Sequence, residues 1–448
     1  MVSFILVGFL LLLAACVIRN PVYGIMCYYI IRMLIPSATR VFSFSFNTIS
    51  LGLLLLFILP HIIRDYKQNS ISAKKYVKST NFIVIGLFIL TFVGTIPFSF
   101  QWAALFQMYM TEIVPSILLV LYLTKGTEYK KFCNIVCIMA LFTALYGIYT
   151  YISADNPIFL MFNNSGEAAT DLEEYATGRL GMSGIAVGIY GDKIALSLIS
   201  FLLLIFLINK NCVNKSLLSL TCILTFIDMF LTTQRTALFC LFLFVFLMMF
   251  DKEDKVVKKY IKTSIILLVL LAFFVDSTIF LDSFYSLIYI FDDKKQLDMG
   301  IGGSSTGMRF MQFTNVFDYL GIERILQGGG YGYAEYYYTY IFKRALFGMD
   351  PRFLGFESFM LKTLMGSGII GCLIWLIGLF KMFKALFPNK QLYDTAFFCS
   401  YILAILMTDT SASFYLFFFL LVLNSKRYLL SDVKIIREFG IRNTRMNN

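Results

Sequence analysis

The chain has 448 residues, of which 59% are hydrophobic and only 15% are charged, with a formal net charge of +11. Its mean hydropathy of +0.77 excludes an ordinary soluble globular protein. The apolar runs are long and continuous rather than alternating, which excludes a membrane β-barrel. Basic residues that hold cytoplasmic loops in place explain the positive charge better than nucleic-acid binding does, so we expect no nucleic-acid partner.

Apolar runs long enough for a bilayer recur along the chain and predict about 13 (12–14) membrane-spanning helices. The second run is weak because Arg32 interrupts it. The predicted fold is a single all-α transmembrane domain over 1–448, with spans near 1–18, 21–37, 46–63, 81–99, 101–123, 132–152, 184–208, 216–232, 236–250, 263–282, 357–380, 393–408 and 411–424.

Lysine and arginine counts predict the orientation of these spans. Six basic segments fall on one side, which we assign to the cytoplasm together with the C-terminus: 64–78, 125–131, 210–215, 252–262, 381–390 and 426–445. The opposite face then carries an acidic loop at 153–183 and a major loop at 283–356. A loop of that length inside a compact protein is usually functional or disordered. Its aromatic and glycine content favours a working site that is partly helical.

Cysteine and histidine usage limits the possible chemistry. All nine cysteines fall in predicted spans or inner loops, and His61 is the only histidine. We therefore expect neither a disulfide nor a metal site built from these residues. A Ser-His-Asp triad on the outer face is excluded as well.

Three arginines stand on the predicted outer face: Arg179, Arg235 and Arg309. A guanidinium is always charged and bonds phosphate oxygens in a bidentate way. Three converging arginines would suit a diphosphate. The alternative, which the sequence leaves open, is that each snorkels to the interface or pairs with an outer carboxylate.

The major loop contains glycines at Gly328, Gly330 and Gly332, followed by a tyrosine-rich segment. It lacks the Lys-Ser/Thr of a phosphate-binding P-loop. A sharp bend where backbone approaches a ligand is the favoured interpretation, and a flexible loop tip is the alternative. The tyrosines suit either sugar stacking or the membrane interface. They are Tyr331, Tyr333, Tyr336, Tyr337, Tyr338 and Tyr340.

Carboxylates at span ends and inside spans supply the other candidates. Glu357 opens a predicted span, where it is either a helix-dipole partner or a general base in a half-dry pocket. Glu112 is the one ionisable group clearly placed inside a span, whereas Asp228 lies nearer the outer end of its span. A proton-coupled transporter would need such groups at mid-membrane.

The order of these motifs resembles that of the O-antigen polymerase / O-antigen ligase superfamily of bacterial envelope proteins. The resemblance covers roughly 179–371. It rests on Thr232-Thr-Gln-Arg-Thr-Ala-Leu238, on Arg309, on the turn Gly328–Gly332, and on the segment from Phe356 through Glu357-Ser358 to Gly368-Ile-Ile-Gly371. It implies a membrane-embedded glycosyltransferase of GT-C-like fold in the bacterial inner membrane.

The resemblance also implies a reaction. The protein would join undecaprenyl-diphosphate-linked oligosaccharide repeats on the periplasmic face, release undecaprenyl diphosphate and use neither a metal nor another cofactor. Arg235 and Arg309 would stabilise the leaving diphosphate and Arg179 would assist. Glu357 would act as base, and the glycine turn and tyrosines would shape a glycan groove. Membrane lipids and a polysaccharide chain-length regulator are the expected partners.

Two departures from the family pattern bear on this prediction. Glu357-Ser358 stands where the ligases have a His-Asn-like pair, which favours a polymerase of O-antigen or capsular polysaccharide over a ligase. Gln234, rather than Ser, precedes Arg235. The alternative from another class is a lipid-linked oligosaccharide flippase. That class predicts basic residues along a transmembrane path and two pseudo-symmetric halves, and the sequence shows neither.

Overall fold

The computed structural model describes most of the chain outside the two long loops. The described residues are 2–35, 39–41, 44–65, 71–153, 157–162, 193–208, 212–231, 235–250, 316, 320–336, 340, 358–408 and 414–429. Among the predicted site residues, Arg179, Arg309, Tyr337, Tyr338 and Glu357 lie outside these ranges. The predicted span 263–282 also lies outside them.

These residues form an all-α membrane protein in which a single two-stranded antiparallel pair, β1 Arg40–Val41 and β2 Phe44–Ser45, is the described sheet. The helices in the first half of the chain are α1 Val2–Arg19, α2 Pro21–Leu34, α3 Phe46–Asp65, α4 Ile71–Leu90, α5 Phe98–Met108, α6 Val114–Tyr122, α7 Gly126–Ser153 and α8 Pro157–Phe162. A π-helical turn at Tyr109–Ile113 joins α5 to α6.

The second half of the chain contains the remaining described helices. They are α9 Lys193–Ile208, α10 Lys215–Leu231, α11 Arg235–Met249, α12 Tyr333–Tyr336, α13 Phe359–Leu386, α14 Leu392–Met407 and α15 Phe414–Ser425, which a 3₁₀ turn at Lys426–Tyr428 follows.

Five segments are long and apolar enough to cross a membrane, and four shorter apolar helices accompany them among the described residues. The five are Val2–Arg19, Phe46–Ile63, Phe98–Tyr122, Gly126–Thr150 and Phe359–Leu386. The chain is therefore a multi-pass membrane protein. The count of about 13 spans stays a prediction.

Two predicted spans differ from the structure. The run predicted at 81–99 is the helix Ile71–Leu90, followed by turns up to Pro97. Its apolar stretch continues past the helix end into turns where Thr91 and Ile96 are buried but Phe92 and Val93 are exposed. Its helix starts early, within the predicted basic loop. The span predicted at 357–380 begins at Phe359 and is broken at Gly368, whose φ of 65° is not helical.

The break at Gly368 folds α13 back on itself. In a straight helix, Phe359 and Trp375 would lie about 24 Å apart, because each residue rises 1.5 Å. Their ring centroids are instead 5.2 Å apart. The Cys372 Sγ also lies 3.6 Å from the carbonyl oxygen of Met360. Residues Phe359–Ser367, called here the re-entrant half-helix, thus return toward the middle of the bundle.

Contacts along α4 and α13 define two ends of the bundle. At one end, the Ser72 hydroxyl donates to the carbonyl of Ala385 at 2.8 Å. At the other, the Thr95 hydroxyl donates to the carbonyl of Gly329 at 2.9 Å. We call the second the glycine-turn end and the first the lysine end, after the lysines of α4 and α13.

Candidate active site

The glycine turn, residues Gly328–Gly332, is built against the break in α13. A broken helix leaves carbonyls unbonded on one side of the break and N–H groups unbonded on the other. Inside a membrane protein each such group needs a protein partner, because unsatisfied backbone is costly there.

The loop supplies those partners on both sides of the break. Gly329 and Gly330 donate their N–H groups to the carbonyls of Met365 and Gly366, at 2.8 and 2.6 Å. Ile369 and Ile370 donate in turn to the carbonyls of Ile325 and Leu326, at 3.0 and 3.1 Å. The turn therefore stabilises both halves of α13 around Gly368.

Glycine is required at two of these positions by close backbone approach. Gly328 has φ of +74°, and a Cβ there would lie closer than 3.0 Å to the carbonyl oxygen of Gly366. A Cβ on Gly368 would meet the Leu326 carbonyl equally closely. The backbone of the glycine turn thus lies against the backbone of α13. The sequence predicted a close approach to a ligand at this turn. Gly328 and Gly330 are buried, so the flexible-tip alternative does not describe them.

Residues that follow α4 and begin α5 complete the packing of the turn. Gln101 is fully buried, accepts the Tyr331 N–H at 2.9 Å and donates to the carbonyl of Ile96 at 2.8 Å. Thr95 donates its backbone N–H to Gly329 at 2.8 Å. Sequence reasoning missed Gln101, although a polar side chain inside an otherwise apolar span was a usable signal.

Three of the predicted sugar-binding tyrosines occupy different environments. Tyr333 is buried in a small apolar cluster with Ile96 and Met365. Tyr336 packs its ring 5.1 Å from that of Phe100. Tyr331 is half-buried against the main core. Burial, and then the carboxylates of Glu335 and Glu112, raise the pKa of Tyr331, so its phenol stays a hydrogen-bond donor.

The re-entrant half-helix starts inside the bundle. Ser358 caps it, accepting the Leu361 N–H at 3.4 Å. Phe359 donates its N–H to the Thr408 carbonyl at 3.1 Å, and its ring lies 4.7 Å from that of Phe414. Ser358, the described residue next to Glu357 in the sequence, therefore lies where the end of α14 meets the start of α15.

A buried ion pair lies beside the start of α15. Arg32 of α2 bonds Glu112 of the π-helical turn at 2.6 Å, and both side chains are largely buried. Arg32 also donates to the Tyr28 hydroxyl and the Thr111 carbonyl, and its guanidinium lies 3.8 Å from the ring centroid of Tyr415.

The same carboxylate reaches α15 directly. The second oxygen of Glu112 accepts the Tyr415 N–H at 2.7 Å, within the first turn of that helix. A carboxylate at a helix N-terminus is favourable because the exposed N–H groups there are donors. From the sequence, Arg32 was interpreted only as an interruption of a span, because its partner Glu112 is 80 residues away in the chain.

Two ion pairs and a tyrosine lie near the start of the half-helix. Lys362, one turn after Ser358, bonds Glu335 at 3.5 Å, and both side chains are partly exposed. The charges of Glu335 and Glu112 contribute, after burial, to the raised pKa of Tyr331. This cluster of Arg32, Glu112, Tyr331, Glu335 and Lys362, called here the entry cluster, is the candidate active-site floor.

Arg235 and Asp228 lie on neighbouring helices. Arg235 is the first residue of α11, and α10 ends at Leu231. Helix α11 packs against α9 and α14. Asp228 is fully buried beside Gly147, and its carboxylate has no hydrogen-bond partner among the described residues. No group of three or more His, Cys, Asp or Glu in the described ranges could hold a metal ion.

The comparison with known families bears on this same part of the chain. Residues 220–376 match the family model described as O-Antigen ligase, which covers about a third of the sequence. No curated protein matches the chain. The family match confirms the predicted resemblance to the O-antigen polymerase / O-antigen ligase superfamily. The matched region contains Arg235, the glycine turn and the re-entrant half-helix.

Proposed function

We propose that this protein is a glycan polymerase that joins undecaprenyl-diphosphate-linked oligosaccharide repeats on the periplasmic face of the bacterial inner membrane. The family match supports the broader class of O-antigen polymerase or ligase activity. The observation that carries the proposal is the break at Gly368. It brings Ser358, the neighbour of Glu357, into a partly polar interior where a chain needed only for anchoring would be apolar.

The proposed reaction transfers the growing glycan to an acceptor sugar. The bond between the anomeric carbon and the phosphate oxygen breaks, and a bond from that carbon to the acceptor hydroxyl oxygen forms. The hydroxyl proton passes to the Glu357 carboxylate, and undecaprenyl diphosphate leaves with the bonding electron pair. Preorganised cations stabilise such a leaving group most where water is scarce.

Arg235 and Arg309 are the proposed leaving-group ligands, with Arg179 as a third contributor. Lys362 adds a partly exposed cation one turn from Ser358. The glycine turn acts on the substrate indirectly in this scheme. It fixes the break in α13, and thereby the position from which Glu357 enters the site. Tyr331 and Tyr336 remain the proposed sugar-stacking rings, whereas Tyr333 supports them from the apolar cluster.

Glu112 is proposed as a positioning residue rather than a proton carrier. Both of its oxygens are engaged, one by Arg32 and Thr111 and the other by the Tyr415 N–H. A carrier in a transporter would have to break these contacts in every cycle. This arrangement favours the glycosyltransferase class over the flippase class.

The second candidate is a ligase that transfers glycan to a lipid or protein acceptor, since the matching family model is described as O-Antigen ligase. Glycan length in a deletion strain separates the candidates, with lipid-linked and surface glycan resolved on gels. A polymerase predicts single repeats at the surface and no long ladder. Long glycan accumulating on the lipid carrier would instead identify a ligase. An absence of periplasmic glycan would identify a flippase.

Complementation of that strain tests the residues. We expect Arg235→Ala and Arg309→Ala to abolish the long ladder, and Arg235→Lys to restore little of it because lysine cannot bond a phosphate in a bidentate way. Arg324→Ala, an exposed arginine of the same loop, is the control and should leave the ladder intact. Unchanged ladders in stably expressed Arg235→Ala and Arg309→Ala proteins would overturn the leaving-group assignment.

A further inference from the structure

A groove of about 1360 Å³ runs along α4 between α3, the α5–α6 segment and α13. Its volume exceeds the roughly 300–1,000 Å³ of common small-molecule pockets. Most of the groove is apolar, with Phe82, Ile85, Ile89, Ile117 and Leu121 among the residues that line it. Phe82, Ile85 and Ile89 are themselves exposed, so the groove opens toward the surroundings of the bundle.

Five lysines concentrate at one end of this groove. Lys74, Lys75 and Lys78 come from the first turns of α4, and Lys381 and Lys384 come from the last turns of α13. All five are exposed, and no acidic side chain is among the described residues that line the groove. Long lysine stems lie along apolar surface while their ammonium groups remain solvated. The Lys381 ammonium, 3.9 Å from the ring centroid of Phe82, shows this arrangement.

The occupant must therefore combine a long apolar body with an anionic head. Negatively charged phospholipid head groups attract clustered lysines at a membrane surface. The apolar part of the groove continues from the lysines along α4, so acyl chains can follow the same helices that the head group contacts. A neutral phospholipid would fill the apolar part without using the five charges.

A polyprenyl diphosphate bound for the proposed reaction fits this groove poorly. The lysines lie at the lysine end of the bundle, where Ser72 meets Ala385. The glycine turn meets Thr95 at the other end. Residues 75 and 90 of α4 alone are separated by about 22 Å along the helix axis. A diphosphate held by the lysines would therefore lie at the opposite end of the bundle from the glycine turn.

We propose that this groove is a binding site for an anionic phospholipid, whose head group the five lysines hold and whose acyl chains lie between α4 and α6. One residue of the apolar part of the groove belongs to the same turn as a member of the entry cluster. Tyr109, which lines the groove, begins the π-helical turn that carries Glu112, and it donates to Asn81 at 3.1 Å. The proposal is independent of the reaction that the protein catalyses.

Native mass spectrometry of the detergent-solubilised full chain tests the site. The probes are phosphatidylglycerol, phosphatidylcholine with the same acyl chains, and a C55 polyprenyl diphosphate. We expect phosphatidylglycerol to bind more tightly than phosphatidylcholine. The combined variant Lys74→Gln, Lys78→Gln, Lys381→Gln and Lys384→Gln should weaken phosphatidylglycerol binding at least about tenfold and leave phosphatidylcholine binding unchanged.

A matched variant controls for total charge. Lys125→Gln, Lys130→Gln, Lys215→Gln and Lys390→Gln remove four exposed lysines that do not line the groove. This variant should bind phosphatidylglycerol as the wild type does, and arginine at the four groove positions should restore binding. The proposal is overturned by equal binding of the two phospholipids, by an equal loss in both glutamine variants, or by lysine-dependent binding of the polyprenyl diphosphate alone.

Discussion

The two ends of the helix bundle are held together by different chemistry. At the glycine-turn end, backbone bonds to backbone across the break in α13, and glycines make that approach possible. At the lysine end, side chains connect α14 to α15 and the turn that follows it. Asp394 of α14 accepts bonds from Arg427 at 2.6 and 2.7 Å and from Asn424 at 2.9 Å.

The difference concerns how precisely each end is fixed. Backbone contacts leave few rotatable bonds, so they hold the re-entrant half-helix in one position, as a catalytic site requires. Side-chain ion pairs tolerate small displacements, and their strength depends on burial and protonation. We therefore expect the glycine-turn end to be sensitive to a single methyl group and the lysine end to be sensitive to charge and pH.

The largest effect is expected for Gly328→Ala. The added Cβ would overlap the Gly366 carbonyl and also force alanine to φ of +74°, so we expect destabilisation of more than about 4 kcal/mol. Thermal unfolding in detergent measures it. Gly321→Ala isolates the backbone term, because Gly321 has φ of +67° and no atom near its Cβ position. That variant should cost about 1–2 kcal/mol.

Equal unfolding temperatures for Gly328→Ala and Gly321→Ala would contradict the close packing of the turn. Gly52→Ala provides the baseline, since a Cβ at that helical position meets nothing within 4 Å. It should be neutral or slightly stabilising, because alanine favours a helix more than glycine does.

A smaller effect is expected for Asp394→Asn at the other end. Asp394 is fully buried, and Arg427 is only 15% exposed. Loss of the charge-assisted bonds should cost about 2–3 kcal/mol. Glu335→Gln removes the partner of Lys362 from an exposed pair and should cost less than about 1 kcal/mol. If both variants unfold at the same temperature, burial does not make the Asp394–Arg427 pair stronger than the exposed Lys362–Glu335 pair.

The smallest effect concerns Lys426, which donates to the Val120 carbonyl at 3.0 Å just beyond α15. Burial lowers the pKa of Lys426 from 10.5 to about 8. Between these values the unfolded chain binds more protons than the folded one, so the free energy of unfolding should rise with pH. The rise is on the order of 1 kcal/mol between pH 8 and pH 9.

Chemical unfolding at several pH values compares Lys426→Met with the wild type. The variant should lose this rise, whereas Lys390→Met at an exposed position should keep it. The same pH dependence in the wild type and in Lys426→Met would show that the lysine remains charged in the folded protein.

Much of the helical architecture could be predicted from the sequence, because it depends on local composition. The helices predicted at 46–63 and 236–250 appear close to their predicted positions. The break in α13 could not be predicted, since Gly368 lies inside a run of hydrophobicity sufficient for one span. Ile325 and Leu326, whose carbonyls accept hydrogen bonds just after the break, come from a distant part of the chain.

The candidate site was predictable only in part for the same reason. The glycine turn was identified as a sharp bend, but its contact with the backbone of α13 was not predicted. The pairing of Arg32 with Glu112 joins helices 80 residues apart, and neither residue lies in a recognisable motif. A charged residue inside a membrane span costs free energy, so the sequence alone marks Arg32 and Glu112 as unfavourable there. Only the fold shows that the two charges pair with each other and offset that cost.

The most direct test of the proposed activity uses the purified full chain and lipid-diphosphate-linked single repeats isolated from the deletion strain. The account predicts longer lipid-linked chains and one polyprenyl diphosphate released for each repeat added. Glu357→Gln should slow this release strongly while Lys390→Gln leaves it unchanged. Release that depends on a different acceptor, with no lengthening of the lipid-linked glycan, would contradict the polymerase assignment.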